Sequence, residues 1–301
     1  REPITDDLDV VIVGAGTAGV VTGTRLREAG DFRIRLIDTA GGIGGTWYWN
    51  RYPGVMCDVE SYIYMPMLEE MDYVPRTRYA VGDEIRQHVD AIARKYDLVD
   101  DALFHTRVLE SRWDEGSARW ILTTDRGDEI RARYLVMAVG ILNLMKLPVI
   151  PGMETFQGKA FHSARWNYEY TGGGPGDGNL TNLADKVVGI VGTGASAIQC
   201  VPPLAEWSKQ LYVFQRTPCS VDIRGNRPTD PAYKDIKNIQ SAAYRAAGLV
   251  ANLLGFSRKQ TQQVAVLNLG EFASDMTPVL KTLVGEKIDL KISQGRDLWF
   301  V

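Results

Sequence analysis

Residues 9–19 read Asp-Val-Val-Ile-Val-Gly-Ala-Gly-Thr-Ala-Gly, and this stretch decides the fold. The β-branched run before the first glycine predicts a parallel strand that is buried on both faces. Gly14 allows a tight turn, Gly16 lets the backbone approach a pyrophosphate, and Gly19 permits close helix packing. A helix that runs to about Ala29 would offer its N-terminal N–H groups to phosphate. The stretch therefore predicts a dinucleotide-binding βαβ unit.

The next predicted strand, Arg33 to Ile37, ends at an acidic residue, Asp38. This acid follows Gly19 by about the twenty residues expected of a carboxylate that holds a ribose hydroxyl. A glycine fingerprint alone is weak support, but strand, fingerprint, helix, strand and acid in this order form a strong pattern. A glycine turn in some other α/β protein is the competing interpretation.

A second glycine loop follows the apolar run Val187 to Val191 and reads Gly-Thr-Gly-Ala-Ser-Ala over residues 192–197. After the next predicted strand, Leu211 to Phe214, Arg216 stands where an NAD-binding unit carries an acid. A guanidinium binds phosphate through paired hydrogen bonds, so Arg216 suits the 2′-phosphate of NADP. A solvated arginine at a strand end is the competing interpretation.

Other residues of the second unit complete a predicted NADPH site. Ser196 and Gln199 lie in the first turn of the predicted helix, where they could contact the pyrophosphate. The predicted NADPH-binding residues are Gly192, Thr193, Gly194, Ser196, Ala197, Gln199, Arg216 and Thr217.

Composition excludes several classes of protein. The chain has 301 residues, of which 45% are hydrophobic, and is long enough for two domains with cores of their own. Its net charge of −3 and its scattered basic residues give no footprint of a nucleic-acid binder. No apolar stretch approaches the roughly 20 residues that span a bilayer, and residues 1–9 lack a secretory pattern. Cys57, Cys200 and Cys219 have no metal-ligand spacing, which predicts free thiols, a cytoplasmic location and no metal site.

The segment between the two loops predicts supporting structure. A helix is expected at about Asp83 to Tyr96, and another buried strand at Tyr134 to Val139. Turn residues separate three short antiparallel strands, predicted at Thr106 to Asp114, Arg119 to Asp125 and Glu129 to Arg133. Residues 148–152 then predict a linker.

Residues 41–58 are too rich in glycine and aromatic residues to predict regular structure. They read Gly-Gly-Ile-Gly-Gly-Thr-Trp-Tyr-Trp-Asn-Arg-Tyr-Pro-Gly-Val-Met-Cys-Asp. A packed surface excursion is one interpretation, because Trp and Tyr are often large apolar bodies with a polar tip. The position directly after the first βαβ unit favours a lining for a cofactor.

Residues 156–166 read Phe-Gln-Gly-Lys-Ala-Phe-His-Ser-Ala-Arg-Trp. They resemble the fingerprint of Baeyer–Villiger monooxygenases, Phe-x-Gly-x-x-x-His-x-x-x-Trp followed by Pro or Asp. The matching residues are Phe156, Gly158, His162 and Trp166, and Asn167 departs at the last place. N- and S-oxidising flavin monooxygenases usually carry Tyr or Phe in place of this tryptophan, so Trp166 favours the ketone oxidisers. His162 alone predicts a structural histidine, and within the family its implied role is control of domain motion.

The loop at residues 41–58 also resembles the flavin-contacting loop of this family. The resemblance to the family covers about residues 1–230 of the chain. Asp58 matches the aspartate near the isoalloxazine, so the resemblance implies that it is catalytic. The implied FAD-binding residues are Gly14, Gly16, Gly19, Asp38, Gly45, Thr46, Trp47 and Asp58. The implied fold is α/β, with two Rossmann-like dinucleotide-binding units (FAD and NADPH) at 1–151 and 152–230 and a helical C-terminal segment at 231–301.

The resemblance implies an FAD- and NADPH-dependent oxidoreductase. Through a C4a-peroxyflavin it would insert one oxygen of O2 next to a ketone carbonyl, giving an ester or lactone. Its partners would be a small ketone and O2, with no nucleic acid or membrane. An N- or S-oxidising monooxygenase and an inactive flavin-binding fragment are the alternatives. Family members are considerably longer, so the chain is expected to lack the arginine that would pair with Asp58.

Residues after about Pro231 have a different character. Their apolar positions alternate spacings of three and four, which predicts a helical bundle. Over about residues 231–301 they resemble part of a bacterial sensor histidine kinase, without its phosphoacceptor and ATP-binding motifs. A fused or rearranged reading frame with a junction near residues 228–231 would explain this, and an unusual helical insertion is the alternative. The oligomeric state is open.

Overall fold

The computed structural model describes residues 1–142, 144–230 and 232, all within one compact unit, Arg1–Ile236. Within this part of the chain the strands are β1 (Thr5–Val13), β2 (Ile34–Ile37), β3 (Val108–Asp114), β4 (Arg119–Thr124), β5 (Glu129–Met137), β6 (Val187–Val191) and β7 (Gln210–Phe214). The α-helices are α1 (Thr17–Ala29), α2 (Thr46–Trp49), α3 (Ser61–Tyr64), α4 (Gly82–Lys95), α5 (Tyr168–Thr171) and α6 (Ala195–Trp207). Short 3₁₀ turns lie at Met153–Thr155, Ser163–Arg165 and Thr181–Leu183.

Five strands form the larger sheet, in the order β2-β1-β5-β4-β3. Strand β1 lies parallel to both neighbours, with Val10 opposite Ile34 of β2 and Tyr134 of β5. Val10, Val11 and Ile12 are almost fully buried, because they face packed residues on both sides of the sheet. The predicted buried strand at the first glycine loop is therefore confirmed, and it begins earlier, at Thr5.

Strand β5 corrects one prediction. The sequence predicted two strands, Glu129 to Arg133 and Tyr134 to Val139, but the structure has one continuous strand, Glu129–Met137. Its first part pairs antiparallel with β4, while the whole strand pairs parallel with β1. One strand therefore joins the parallel sheet to the β3-β4 hairpin.

Helices α1 and α4 cover one face of this sheet. Apolar residues of both helices pack in one cluster with β1 and β2, among them Val20 of α1 and Val89 and Ile92 of α4. Helix α4 begins with acidic residues and ends with basic ones, and both arrangements stabilise a helix through its dipole. The helix predicted at Asp83 to Tyr96 is confirmed within one residue at each end.

The second βαβ unit consists of β6, α6 and β7. Its two strands are parallel, with Gly189 opposite Tyr212, and they match the predicted strands closely. Cys200 and Leu204 of α6 are buried in one apolar cluster with Trp47 and Tyr52. The second unit therefore packs on the aromatic loop that follows the first.

Two further predictions concern regular structure. The loop at residues 41–58 contains a single helical turn, α2, where none was predicted. The predicted heptad helix and tail at 231–301 lie outside the described residues, except for Ala232. The domain boundaries remain a prediction.

Candidate functional site

The first glycine loop shows why its residue types are required. Gly14 has φ of +115°, and a Cβ atom added there would lie 2.3 Å from the carbonyl oxygen of Ala138. A Cβ atom on Gly19 would lie 1.9 Å from the Gly14 carbonyl oxygen. Backbone fills both places, so side chains at these positions would force strand β1, helix α1 and the end of β5 apart.

Gly16 and Gly45 bring two loops into direct backbone contact. Gly45 has φ of +53°, and a Cβ atom on it would lie 2.6 Å from Cα of Gly16. The neighbouring residues are joined by a hydrogen bond from the Gly44 N–H to the Ala15 carbonyl oxygen, at 3.0 Å. The predicted flavin-contacting loop therefore begins against the first glycine loop.

Asp38 fixes the end of β2 to the same loop. Its Oδ2 accepts a hydrogen bond from the Ala15 N–H at 2.6 Å, and its Oδ1 accepts one from the Ala40 N–H at 2.8 Å. An ionised carboxylate offers about four acceptor sites, so two remain for other donors. This arrangement is compatible with the predicted ribose contact, which stays a prediction.

The start of helix α1 fits a phosphate group. Gly16 caps the helix without a side-chain hydrogen bond, and no acidic residue lies in the first turn. The first N–H groups of a helix have no partner inside the helix, and its dipole favours an anion at this end. The residues of the first loop therefore fit a dinucleotide pyrophosphate.

The aromatic loop that ends at Asp58 contains several buried groups. Trp47 is 8% exposed and donates its indole N–H to the Tyr64 hydroxyl at 3.2 Å. The neighbouring Thr46 accepts two hydrogen bonds from Asn50 at its carbonyl oxygen. Tyr52 is 6% exposed, and burial raises the pKa of its hydroxyl. The loop is thus a packed structure rather than a surface excursion.

Asp58 itself is half exposed and binds two donors through one oxygen. Arg224 donates from Nη2 to Oδ1 at 2.6 Å, and Gln199 donates from Nε2 to the same Oδ1 at 3.1 Å. Gln199 also bonds the Met56 backbone and accepts from the Tyr52 hydroxyl at 3.1 Å. The amide of Gln199 is engaged with this loop, which differs from the pyrophosphate contact predicted for it.

The segment that matches the fingerprint is built from local contacts. The Phe156 ring lies over Gly158, where an added Cβ atom would be 2.5 Å from it. His162 accepts a hydrogen bond at Nδ1 from the Ala164 N–H at 3.1 Å, which caps a 3₁₀ turn. This contact agrees with the structural role that its sequence context predicts, and no described contact gives it a catalytic one.

Trp166 and Asn167 continue the segment into helix α5. The Trp166 indole N–H donates to Thr171 Oγ1 at 3.1 Å, and its ring packs in the cluster that holds Trp47. Asn167 caps α5 by accepting from the Tyr170 N–H at 2.9 Å. Asn and Asp are both strong N-caps, so Asn167 serves locally where an aspartate would also fit.

The fingerprint segment is anchored on the aromatic loop. The Arg165 guanidinium lies 3.9 Å from the centre of a Trp49 ring, and the Tyr168 hydroxyl donates to the Arg51 carbonyl oxygen at 2.5 Å. Burial raises the pKa of Tyr168. Two motifs that are distant in sequence therefore form one structure.

The second glycine loop leaves space beside its backbone. Gly192 has φ of +105°, and a Cβ atom added to Gly192 or Gly194 would meet nothing within 4 Å. Gly194 caps α6 without a side-chain hydrogen bond, and no acid lies in the first turn, which includes Ser196 and Ala197. The residues of this loop therefore fit a second pyrophosphate.

The end of β7 lies beside this loop. Gln215 donates to the Thr193 hydroxyl at 2.9 Å, and the Cys219 thiol donates to the Thr193 carbonyl oxygen at 2.6 Å. Arg216 and Thr217 are exposed. Among the described residues Arg216 has no hydrogen-bond or ion-pair partner, so its guanidinium is available to a ligand.

The cysteines confirm the prediction of free thiols. Burial raises the pKa of Cys57, and it raises the pKa of Cys200 to about 12. Across residues 1–142 and 144–230, no group of three or more His, Cys, Asp or Glu side chains is placed to hold a metal ion. No helix in the same part of the chain is both long enough and apolar enough to cross a membrane.

Sequence reasoning missed the partners of Asp58. It placed Gln199 at the second nucleotide and gave Arg224 no role. The only available signal in the sequence is that Arg224 is the next arginine after Arg216. That spacing says nothing about which loop the side chain reaches.

These features define a class of protein, an α/β nucleotide-binding protein with two glycine loops. A family model described as an NAD(P)-binding Rossmann-like domain matches residues 12–75. Pentalenolactone D synthase of Streptomyces exfoliatus is 59% identical over 234 residues, covering 77% of this chain and 40% of that protein. A Baeyer–Villiger monooxygenase of Streptomyces coelicolor is 55% identical over 229 residues, covering 76% of this chain and 38% of that protein.

Solved structures give the same result. The polycyclic ketone monooxygenase of Thermothelomyces thermophila superposes with a TM-score of 0.73 at 49% identity, over 77% of this chain and 39% of that one. An oxidised steroid monooxygenase bound to NADP gives a TM-score of 0.69 at 39% identity, over 79% of this chain and 44% of that one.

The homologues and structural neighbours support the Baeyer–Villiger monooxygenase family for the matched part of the chain. The chain spans about 40% of the length of the curated relatives that it matches. The resemblance of residues 231–301 to a sensor histidine kinase is not shown by these comparisons.

Proposed function

We propose that this chain carries the FAD- and NADPH-binding part of a Baeyer–Villiger monooxygenase, which uses O2 to convert a ketone into an ester or lactone. The observation that carries the proposal is the meeting of three motifs in one packed structure. The first glycine loop contacts the aromatic loop through Gly16 and Gly45, and the fingerprint segment rests on that loop through Arg165. Relatives of the chain bear the names Baeyer–Villiger monooxygenase and polycyclic ketone monooxygenase.

The proposal assigns the two nucleotides to the two loops. FAD would be held by the N-terminus of α1, with Asp38 at its ribose and the loop from Gly45 to Asp58 along it. NADPH would be held by the N-terminus of α6, with Arg216 at the 2′-phosphate. Solved relatives include one bound to NADP and one in complex with both FAD and NADP. When bound, these cofactors supply the reducing equivalents and the activation of oxygen.

The residues of the chain have separate tasks in this scheme. Uncapped N–H groups at the two helix starts bind phosphate. Trp47 and Tyr52, both almost fully buried, exclude water from one side of the aromatic loop. Asp58 presents a carboxylate whose Oδ1 is already engaged. Its negative charge would favour a cation beside it, as expected of a carboxylate near a reacting centre.

Flavin binding is the first test. The purified 301-residue chain is mixed with FAD, its visible spectrum is recorded after gel filtration, and NADPH or NADH is added without oxygen. The proposal expects retained yellow flavin that NADPH bleaches faster than NADH. Failure to retain flavin would instead support an inactive fragment. Oxidation of amines or sulfides without ketone turnover would support the N- or S-oxidising alternative.

A further inference from the structure

Arg224 belongs to a segment that returns from the second βαβ unit to the loop after the first. Residues 224–229, here called the strap, follow an exposed stretch after β7. The Arg78 N–H donates to the Arg227 carbonyl oxygen at 2.9 Å, and the Thr229 N–H donates to the Arg76 carbonyl oxygen at 3.0 Å. These bonds form an antiparallel pairing centred on Thr77 and Pro228.

Side chains add to this pairing. Asn226 accepts from the Tyr79 N–H at 3.0 Å and donates to the Tyr79 carbonyl oxygen at 3.2 Å, so its amide imitates a further strand residue. The Arg224 guanidinium lies 5.5 Å from the centre of the Tyr79 ring and donates from Nη1 to the Cys57 carbonyl oxygen at 3.2 Å. The side chain of Arg224 is less exposed than that of Asp58, at 28% against 56%.

The contacts of Asp58 are unequal. Both of its donors, Arg224 and Gln199, bind Oδ1, at 2.6 Å and 3.1 Å. Within the described part of the chain no donor lies within hydrogen-bond distance of Oδ2. Two donors on one oxygen fix the orientation of the carboxylate and leave the other oxygen without a donor among the described residues.

We infer that Arg224 is a positioning residue for Asp58, which the strap holds against Oδ1 so that Oδ2 alone is presented to a flavin-site group. This inference rests on the proposed function. An ordinary ion pair at this exposure contributes little, because holding two flexible side chains together costs entropy. Here the strap, the Cys57 carbonyl and Tyr79 already restrict Arg224, so that cost is reduced.

A double-mutant cycle between Arg224 and Asp58 tests the inference. The variants R224Q, D58N and R224Q/D58N of the 301-residue chain are compared with the unsubstituted chain. FAD affinity is measured by quenching of flavin fluorescence, and the thermal midpoint is measured without flavin. R224Q is expected to weaken FAD binding about twofold to fivefold and to lower the midpoint by about 1–3 °C. In the D58N background R224Q should weaken FAD binding no further.

Two other variants serve as controls. R227Q changes an exposed arginine of the same strap whose backbone, not its side chain, makes the pairing, so FAD affinity should stay unchanged. R224K keeps the charge but loses the fork that reaches both Asp58 and Cys57, so it should restore FAD binding only in part. If R224Q fails to fold, the FAD affinity of R224K still tests the role of Arg224.

The outcomes separate this inference from the proposed function. If R224Q lowers FAD affinity by the same factor in the unsubstituted chain and in the D58N background, Arg224 acts through the strap alone and the inference is overturned. Unchanged FAD affinity in R224Q overturns it as well. If the unsubstituted chain binds no FAD, the proposed function fails and the inference fails with it, while the cycle on the thermal midpoint still reports whether the pair forms.

Discussion

Gly14 shows why the absence of a Cβ atom matters at one position of this fold. Its φ of +115° is costly for any other residue, and the Ala138 carbonyl occupies the place of a side chain. We expect Gly14→Ala to lower the free energy of unfolding by about 2–4 kcal/mol, through strain and overpacking together. Urea unfolding would measure this change.

Gly30 offers a matched control for this variant. It lies at the other end of helix α1 with φ of 165°, which any residue adopts, and an added Cβ atom would meet only the Phe32 ring at 3.4 Å. Gly30→Ala should therefore change stability by less than about 1 kcal/mol. Equal effects of the two substitutions would contradict the explanation from backbone conformation.

Arg216 should determine the choice between the two nicotinamide cofactors. Its guanidinium is free among the described residues, and hydrogen bonds to a charged group contribute about 1.5–3 kcal/mol. Arg216→Gln should weaken NADPH binding about tenfold to a hundredfold and leave NADH binding almost unchanged. Titration of each nucleotide against the flavin-loaded protein measures both constants. Equal losses for NADPH and NADH would place Arg216 away from the 2′-phosphate.

His88 should make stability depend on pH. It is 4% exposed, its Nε2 lies 2.7 Å from the Pro66 carbonyl oxygen, and Glu84 and Tyr73 pack beside it. Burial lowers the pKa of His88 in the folded protein below the ordinary value of about 6.5. Protons therefore bind the unfolded chain more strongly, and stability present above about pH 6.5 is lost as the pH falls towards the lowered value.

Replacement of the imidazole tests this dependence. His88→Gln keeps a donor for the Pro66 carbonyl but cannot titrate, so the slope of stability between about pH 5 and 6.5 should decrease by up to about 1.4 kcal/mol per pH unit. Urea midpoints at several pH values provide the measurement. An unchanged slope would show that other groups control stability in this range.

At the scale of elements, Gln199 joins helix α6 to the aromatic loop. Its amide makes four hydrogen bonds, to Tyr52, to both backbone groups of Met56, and to Asp58. Gln199→Leu should lower the free energy of unfolding by about 1–3 kcal/mol, because Tyr52 and Met56, which are buried or partly buried, lose their bonds. Thermal unfolding without nucleotide measures this loss. A normal midpoint with weakened NADPH binding would favour the pyrophosphate contact that the sequence pattern predicts.

The sequence predicts elements better than it predicts the contacts between them. The strand before Gly14, helix α4 and the β6-α6-β7 unit follow local rules of burial, periodicity and glycine placement, and their positions were predicted closely. The sequence predicts two strands in place of β5 because arginines interrupt the apolar pattern. In the structure, pairing with β1 extends one strand through these arginines. Local periodicity does not predict which distant strands pair.

The same limit applies to the candidate site. Asp38 is predicted from its distance to the glycine loop, because ribose recognition by a βαβ unit imposes a nearly fixed spacing, and the structure places its carboxylate against that loop. The contact between Arg224 and Asp58 depends on how the strap pairs with residues 76–79. No spacing rule governs that path, so the arginine could not be assigned from the sequence.

At the scale of the whole molecule, the described residues expose many large apolar side chains. Ile141 is 91% exposed, Leu144 is 86% exposed and Val149 is fully exposed, all in the segment after β5. Exposed apolar surface promotes association between protein molecules. We expect the triple substitution of these residues by Ser to reduce binding of a hydrophobic dye and concentration-dependent light scattering.

The stability of the triple variant is the control for this prediction. Side chains this exposed stabilise the fold little, so the triple variant should unfold within about 1 kcal/mol of the unsubstituted chain. Light scattering that stays the same would assign association to other surfaces, such as the exposed faces of β6 and β7.

The pairing of β1 with β5 also affects how the chain folds during its synthesis. Thr5 pairs with Glu129 and Val13 with Met137, so one edge of the first strand finds its partner only after the chain has grown through helices α1 and α4 and the β3-β4 hairpin. At ribosomal rates of about 5–20 residues per second, this delay is on the order of ten seconds. During that interval an apolar strand edge is open to other chains. The order of synthesis therefore makes strand β1 dependent on protection until β5 has been made.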